Sequence, residues 1–101
     1  MKRSLIGSVD LKPQMKSEQS VVVEYFRTEE EEFDENYNQK KPYGIEVIKK
    51  QEIDGIVYRE TKAVKHIGEN TDKVDRILKL LCKNGVTPIC VGDVLEDLNA
   101  I

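Results

Sequence analysis

Hydrophobic positions along this 101-residue chain change their period near residue 70. Before that point apolar residues come in β-branched runs or alternate with polar ones. After it they recur every three or four residues. Ser20-Val21-Val22-Val23-Glu24-Tyr25-Phe26-Arg27 is β-branched and aromatic and has a strand's length. Tyr43–Gln51 sets Tyr43, Ile45 and Val47 against Glu46, the period of a half-buried strand. Asp54-Gly55 is a hairpin turn signal, because a primed two-residue turn needs positive φ and both residues tolerate it. Centring the hairpin there places Ile53 opposite Ile56, Gln51 opposite Tyr58 and Lys49 opposite Glu60, sensible cross-strand neighbours. The returning strand runs from Ile56 to Val64 or somewhat beyond and ends near Gly68.

Past residue 70 the pattern is helical. Val74, Ile77, Leu78, Leu81 and Cys82 fall on one face of a 3.6-residue period, with Thr71 or Asp72 placed to cap the first turn. Asn84-Gly85 ends this helix: Gly85 can adopt the left-handed conformation and let Val86 fold back onto Leu81. Thr87-Pro88 then reads as cap and first position of a second helix, with Cys90, Val91, Val94, Leu95 and Leu98 on its apolar face. A start near Asp93, paired with Glu96 in a capping box, is the alternative, and Gly92 supports it.

These elements add up to an α+β fold: an antiparallel sheet of three to four strands, including the hairpin at Asp54-Gly55, with two C-terminal helices packed on one face. Residues 21–101 form a single domain with an acidic loop at 28–41. Ser4–Leu11 has the makings of a short edge strand. Pro13 and the Lys/Gln/Ser-rich stretch after it make residues 1–20 as a whole a weakly ordered arm.

Charge sharpens the picture. The net charge is -3, yet residues 28–39 carry six acids (Glu29, Glu30, Glu31, Glu32, Asp34, Glu35) and no base. The other thirteen acids face sixteen bases, so a nearly neutral body carries an acidic strip. A general nucleic-acid binder would concentrate positive charge instead. The second helix carries Asp93, Glu96 and Asp97 and no Lys or Arg, which argues against its reading DNA. No apolar run reaches the roughly 18–20 residues of a membrane span. The stretch after Lys2-Arg3 is too short for an export signal, so the cytoplasm is the expected setting, and two cysteines there are expected as thiols.

Candidate chemistry is sparse. Cys82 and Cys90 lack metal-motif spacing, and His66 is the other soft ligand; three such residues do not close a structural zinc site. On an apolar helix stripe a free cysteine acts as a small hydrophobe. Asp34-Glu35-Asn36-Tyr37-Asn38-Gln39 starts like a calcium loop, but Gln39 replaces the turn glycine and Ile45 the bidentate glutamate. No phosphate-binding glycine pattern and no nucleophile motif is present, and no cofactor is expected. The sharper reading of the acidic strip is a docking surface, in which Glu29, Glu30, Glu31, Glu32, Phe33, Asp34, Glu35 and Tyr37 combine electrostatic steering with aromatic anchoring.

Tyr43-Gly44-Ile45-Glu46, the hairpin, the helix, Val86-Thr87-Pro88-Ile89 and Asp93-Val94-Leu95-Glu96-Asp97 together resemble a family of small uncharacterised proteins from clostridia and related Firmicutes. The likeness spans residues 43–101, without the arm or the acidic loop. It implies a cytoplasmic bacterial setting and assigns no activity. The expected function is a non-enzymatic protein-interaction or regulatory module. Its partner is another protein rather than nucleic acid or membrane, and a homo-oligomer is left open. The alternatives are a metal-binding or redox-responsive thiol protein using Cys82, Cys90 and His66, and a nucleic-acid mimic acting through residues 29–35.

Overall fold

The computed structural model describes residues 2–11, 20–30 and 42–100. Four strands and two helices follow in order: β1 (Lys2–Asp10), β2 (Ser20–Glu29), β3 (Tyr43–Ile53), β4 (Ile56–Gly68), α1 (Thr71–Lys83) and α2 (Pro88–Asp97). The strands form one antiparallel sheet in sequence order, β1-β2-β3-β4. The hairpin register is the expected one, with Ile53 opposite Ile56, Gln51 opposite Tyr58 and Lys49 opposite Glu60. Asp54 and Gly55 take φ of 52° and 81°, the two left-handed positions a primed turn requires.

The weakly ordered arm is corrected over its first half. Lys2–Asp10 is a nine-residue edge strand, longer than the Ser4–Leu11 fragment and paired with β2 along its length. Its own pattern is weak because one face is open and a bulge shifts the register between Leu5 and Gly7. That bulge sends Ile6 toward the core while Leu5 stays exposed. Residues 12–19 lie outside the described residues. At the other end of β2 the strand continues through Glu29, so the loop assigned to 28–41 begins later than expected.

Both helices lie on one face of the sheet. Val23 and Tyr25 of β2, Ile45 and Val47 of β3, and Ile67 of β4 meet Val74, Leu78 and Leu81 of α1 and Val91 and Leu95 of α2, all fully buried. A second irregularity makes this possible. Tyr43 pairs with Gly68 and Ile45 with Val64, so three residues, Lys65, His66 and Ile67, stand opposite Gly44 alone. His66 absorbs the excess at φ 58°, and Ile67 is thereby turned into the core. Only glycine fits at position 44, since a Cβ there would lie 2.4 Å from the Val64 carbonyl oxygen.

The helix–helix connection settles where α2 begins. Gly85 (φ 61°) donates to the Cys82 carbonyl at 3.1 Å and Val86 to that of Leu81 at 3.0 Å, the paired bonds of a Schellman motif. Thr87 is the cap residue and Pro88 opens α2, so the start near Asp93 does not occur. The cap of α1 is Asn70, whose side chain accepts from the Lys73 N–H at 2.9 Å; Thr71 and Asp72 sit inside the first turn.

Candidate interaction surface

Period-two alternation in the strands and the one-sided helix layer together decide which residues remain available. The uncovered face is tiled by charge over apolar stems. Arg3 lies 4.6 Å above the Phe26 ring and donates to Glu46 Oε1 at 2.6 Å, and Lys50 pairs with Glu24 at 2.8 Å. Between these groups Ile48 is buried, so the middle of this face is polar at its surface, while Leu5 on the β1 edge stays exposed. On the covered face Arg27 donates through Nη1 to both Asp75 oxygens, at 2.8 and 2.7 Å, tying β2 to α1.

The exposed apolar surface collects instead on β4. Every residue from Ile56 to Ala63 is exposed, although Val21 and Val23 of β2, two strands away in the same rows, are buried. The cause is the placement of the helices. α1 packs chiefly over β1 and β2, and α2 reaches β4 where Pro88, Ile89, Gly92 and Asp93 approach Glu60, Thr61 and Lys62. These residues line an open cleft of about 440 Å³. Ile56, Val57 and Tyr58 are 56%, 60% and 53% exposed, and Ile89 beside the cleft is 80% exposed. Three successive apolar residues put apolar side chains on both faces of the strand, a signal that Ile56-Val57-Tyr58 carried in the sequence and that the strand assignment absorbed.

Of the acidic strip, Glu29 and Glu30 are described, and they lie at the opposite end of the sheet. Glu29 pairs with Lys2 and Tyr43, whereas the hairpin turn follows Ile53, ten residues along β3 and roughly 33 Å away. Glu30 donates its N–H to the Pro42 carbonyl at 3.1 Å, and its carboxylate lies 3.6 Å from Lys65 Nζ. Glu31, Glu32, Phe33, Asp34, Glu35 and Tyr37 are outside the described residues.

Cys82, Cys90 and His66 are not brought together. Among the described residues no group of three or more His, Cys, Asp and Glu side chains is arranged to hold a metal ion. Cys82 is half-buried, with Sγ 3.7 Å from the Ser8 carbonyl oxygen. Gly7 leaves space for that thiol, since a Cβ there would lie 3.1 Å from Sγ. Cys90 is exposed, which corrects the expectation that both cysteines face the core. Pro88, Val91 and Leu95 are the buried positions of α2, and Cys90 is rotated about 100° from Val91. Leu98, 41% exposed, lies beyond the last helical residue.

Among the described residues one titratable group is strongly shifted. Tyr25 is fully buried and donates its O–H to the Val86 carbonyl at 2.8 Å. Burial, reinforced by the neighbouring Cys82 thiol, pushes its pKa up from 10.0 to about 12.

The class defined by this architecture is an α+β domain in which a four-stranded antiparallel meander carries helices on one face and a solvated surface on the other. The chain belongs to a family of unknown function, DUF6514, whose model matches residues 6–100. That span takes in the second half of β1, all of β2 and the acidic segment, so the likeness is not confined to residues 43–101. No curated protein and no solved structure matches the chain. No helix among the described residues is long and apolar enough to cross a membrane.

Proposed function

We propose that this protein is a non-enzymatic interaction or regulatory module of the bacterial cytoplasm, and that its contact surface is the outer half of the β3–β4 hairpin. The observation that carries this reading is the exposure of Ile56, Val57 and Tyr58 on both faces of one strand. Contiguous exposed apolar side chains cost solubility and mark interaction sites on soluble domains. Aromatic anchors such as Tyr58 carry a large share of the binding energy at protein interfaces, while charged surroundings steer the encounter. Glu29 and Glu30, at the far end of the sheet, then supply a second, electrostatic contact.

The test is affinity capture with the full chain and with the triple variant Ile56→Ser, Val57→Ser, Tyr58→Ser. The native protein is expected to recover one specific protein that the variant loses, with the variant's circular dichroism unchanged. Equal recovery by both removes the hairpin as the contact surface. Elemental analysis of the same preparation separates the thiol alternative, because stoichiometric metal would favour Cys82, Cys90 and His66 as ligands.

A further inference from the structure

We propose that the free edge of β4 pairs antiparallel with β4 of a second copy of this chain, about a two-fold axis through Thr61, to give one continuous eight-stranded sheet. This deepens the reading of the hairpin as an interaction surface by naming the occupant of its edge. Among the described residues β4 is hydrogen-bonded to β3 alone, so from Val57 to Ala63 its other edge presents N–H and C=O groups open to a further strand.

The pairing register follows from symmetry and charge. Residues directly opposite in an antiparallel pair share a face, so the axis relating two identical strands must pass through a residue. An axis through Arg59, Glu60 or Lys62 sets that charged residue against its own copy. An axis through Ala63 runs the ladder into the bulge at Lys65, His66 and Ile67. An axis through Thr61 opposes Glu60 to Lys62 twice and Tyr58 to Val64 twice, with Arg59 facing Ala63 and Val57 facing Lys65. Opposite-charge and aromatic–β-branched pairs are the stabilising cross-strand combinations. Neither Glu60 nor Lys62 takes part in an ion pair within the chain among the described residues, so both are available.

The helix layer agrees with the same axis. An axis perpendicular to the sheet keeps both helix layers on one face. Glu60, Thr61 and Lys62 share their cleft with Ile89 and Gly92, so the two copies of this cleft meet at the dyad. Ile89, 80% exposed, then gains an apolar neighbour, and a Cβ at Gly92 would meet nothing within 4 Å, which leaves room there. The basic residues of β4 would ordinarily guard an edge against pairing. In this register Lys62 meets a carboxylate, and the bulge ends the ladder after Lys65.

Sedimentation equilibrium on the full chain tests the proposal. The native protein is expected at twice its 11.6 kDa mass. Glu60→Lys and Lys62→Glu each create two like-charge pairs and should weaken the dimer about tenfold or more. The double charge swap should restore it. Thr61→Cys in a Cys90→Ser background should form an intermolecular disulfide on mild oxidation, which other registers do not allow. A monomer at every concentration, or a dimer insensitive to Glu60→Lys, overturns the proposal. A monomer that still captures a partner through Ile56, Val57 and Tyr58 would overturn self-pairing and leave the hairpin reading standing. A charge-dependent dimer whose triple serine variant captures the same proteins would do the reverse.

Discussion

Tyr25 shows how much one residue carries in a domain this small. Its ring fills the space between β2 and α1, and its hydroxyl reaches the Val86 carbonyl in the helix connection, fixing the hinge to the sheet. A strand tyrosine was legible in the sequence, but its burial and its partner 61 residues away were not. The shift to about 12 has a definite sign. The folded state holds the phenolic proton more tightly than the unfolded chain does. The resulting stability is therefore intact below pH 10 and is lost between pH 10 and 12. Absorbance titration at alkaline pH should show Tyr25 ionising late, near pH 12, together with loss of circular dichroism. Tyr25→Phe should remove that late step and cost about 1 kcal/mol in urea unfolding. An early, fully reversible ionisation of Tyr25 would contradict the buried placement.

The two helices differ at the level of the element. α1 has a side-chain cap at Asn70, an acid in its first turn and a glycine-terminated end. α2 has Thr87 at the cap position without a side-chain bond and depends on Pro88 and on packing of Val91 and Leu95. Asn70→Ala is accordingly expected to cost about 1 kcal/mol and Thr87→Ala only a few tenths, read from urea midpoints. Equal losses would show that Thr87 caps in solution. The start of α2 and the stop of α1 were readable from Asn84-Gly85 and Thr87-Pro88, because local chemistry decides them. The cap at Asn70 was missed by one residue, since Asn70, Thr71 and Asp72 are all competent caps. The chain's exit from β4 at Gly68 selects among them.

At the scale of the molecule, the Cα radius of gyration is 14.8 Å, above the roughly 13 Å of a rounded domain of this length. The extents of 50 × 25 × 19 Å show the elongation. The fully buried residues gather where the helices cover the sheet, and the hairpin end continues beyond them. Hydrogen exchange should follow this division. Amides of Val23, Tyr25 and Val47 are expected to exchange most slowly, and those of Ile56–Lys62 facing the free edge rapidly in dilute solution. Protection of the β4 edge should rise with protein concentration through self-pairing. Uniform protection across the sheet would contradict the placement of the helices.

The hairpin register, the phase of α1 and the hinge between the helices were determined by the sequence alone. Each depends on residues close together in the chain: Asp54-Gly55 for the turn, Val74 to Leu81 for the face, Gly85 and Pro88 for the boundaries. Tertiary structure decided that Lys2–Asp10 is a strand, that Ile67 reaches the core through the bulge opposite Gly44, and that Cys90 points to solvent. It also left Ile56–Tyr58 uncovered. Those outcomes depend on which strand lies beside which and on where two helices come to rest on a sheet. Such non-local contacts leave no periodic trace in the segments that make them.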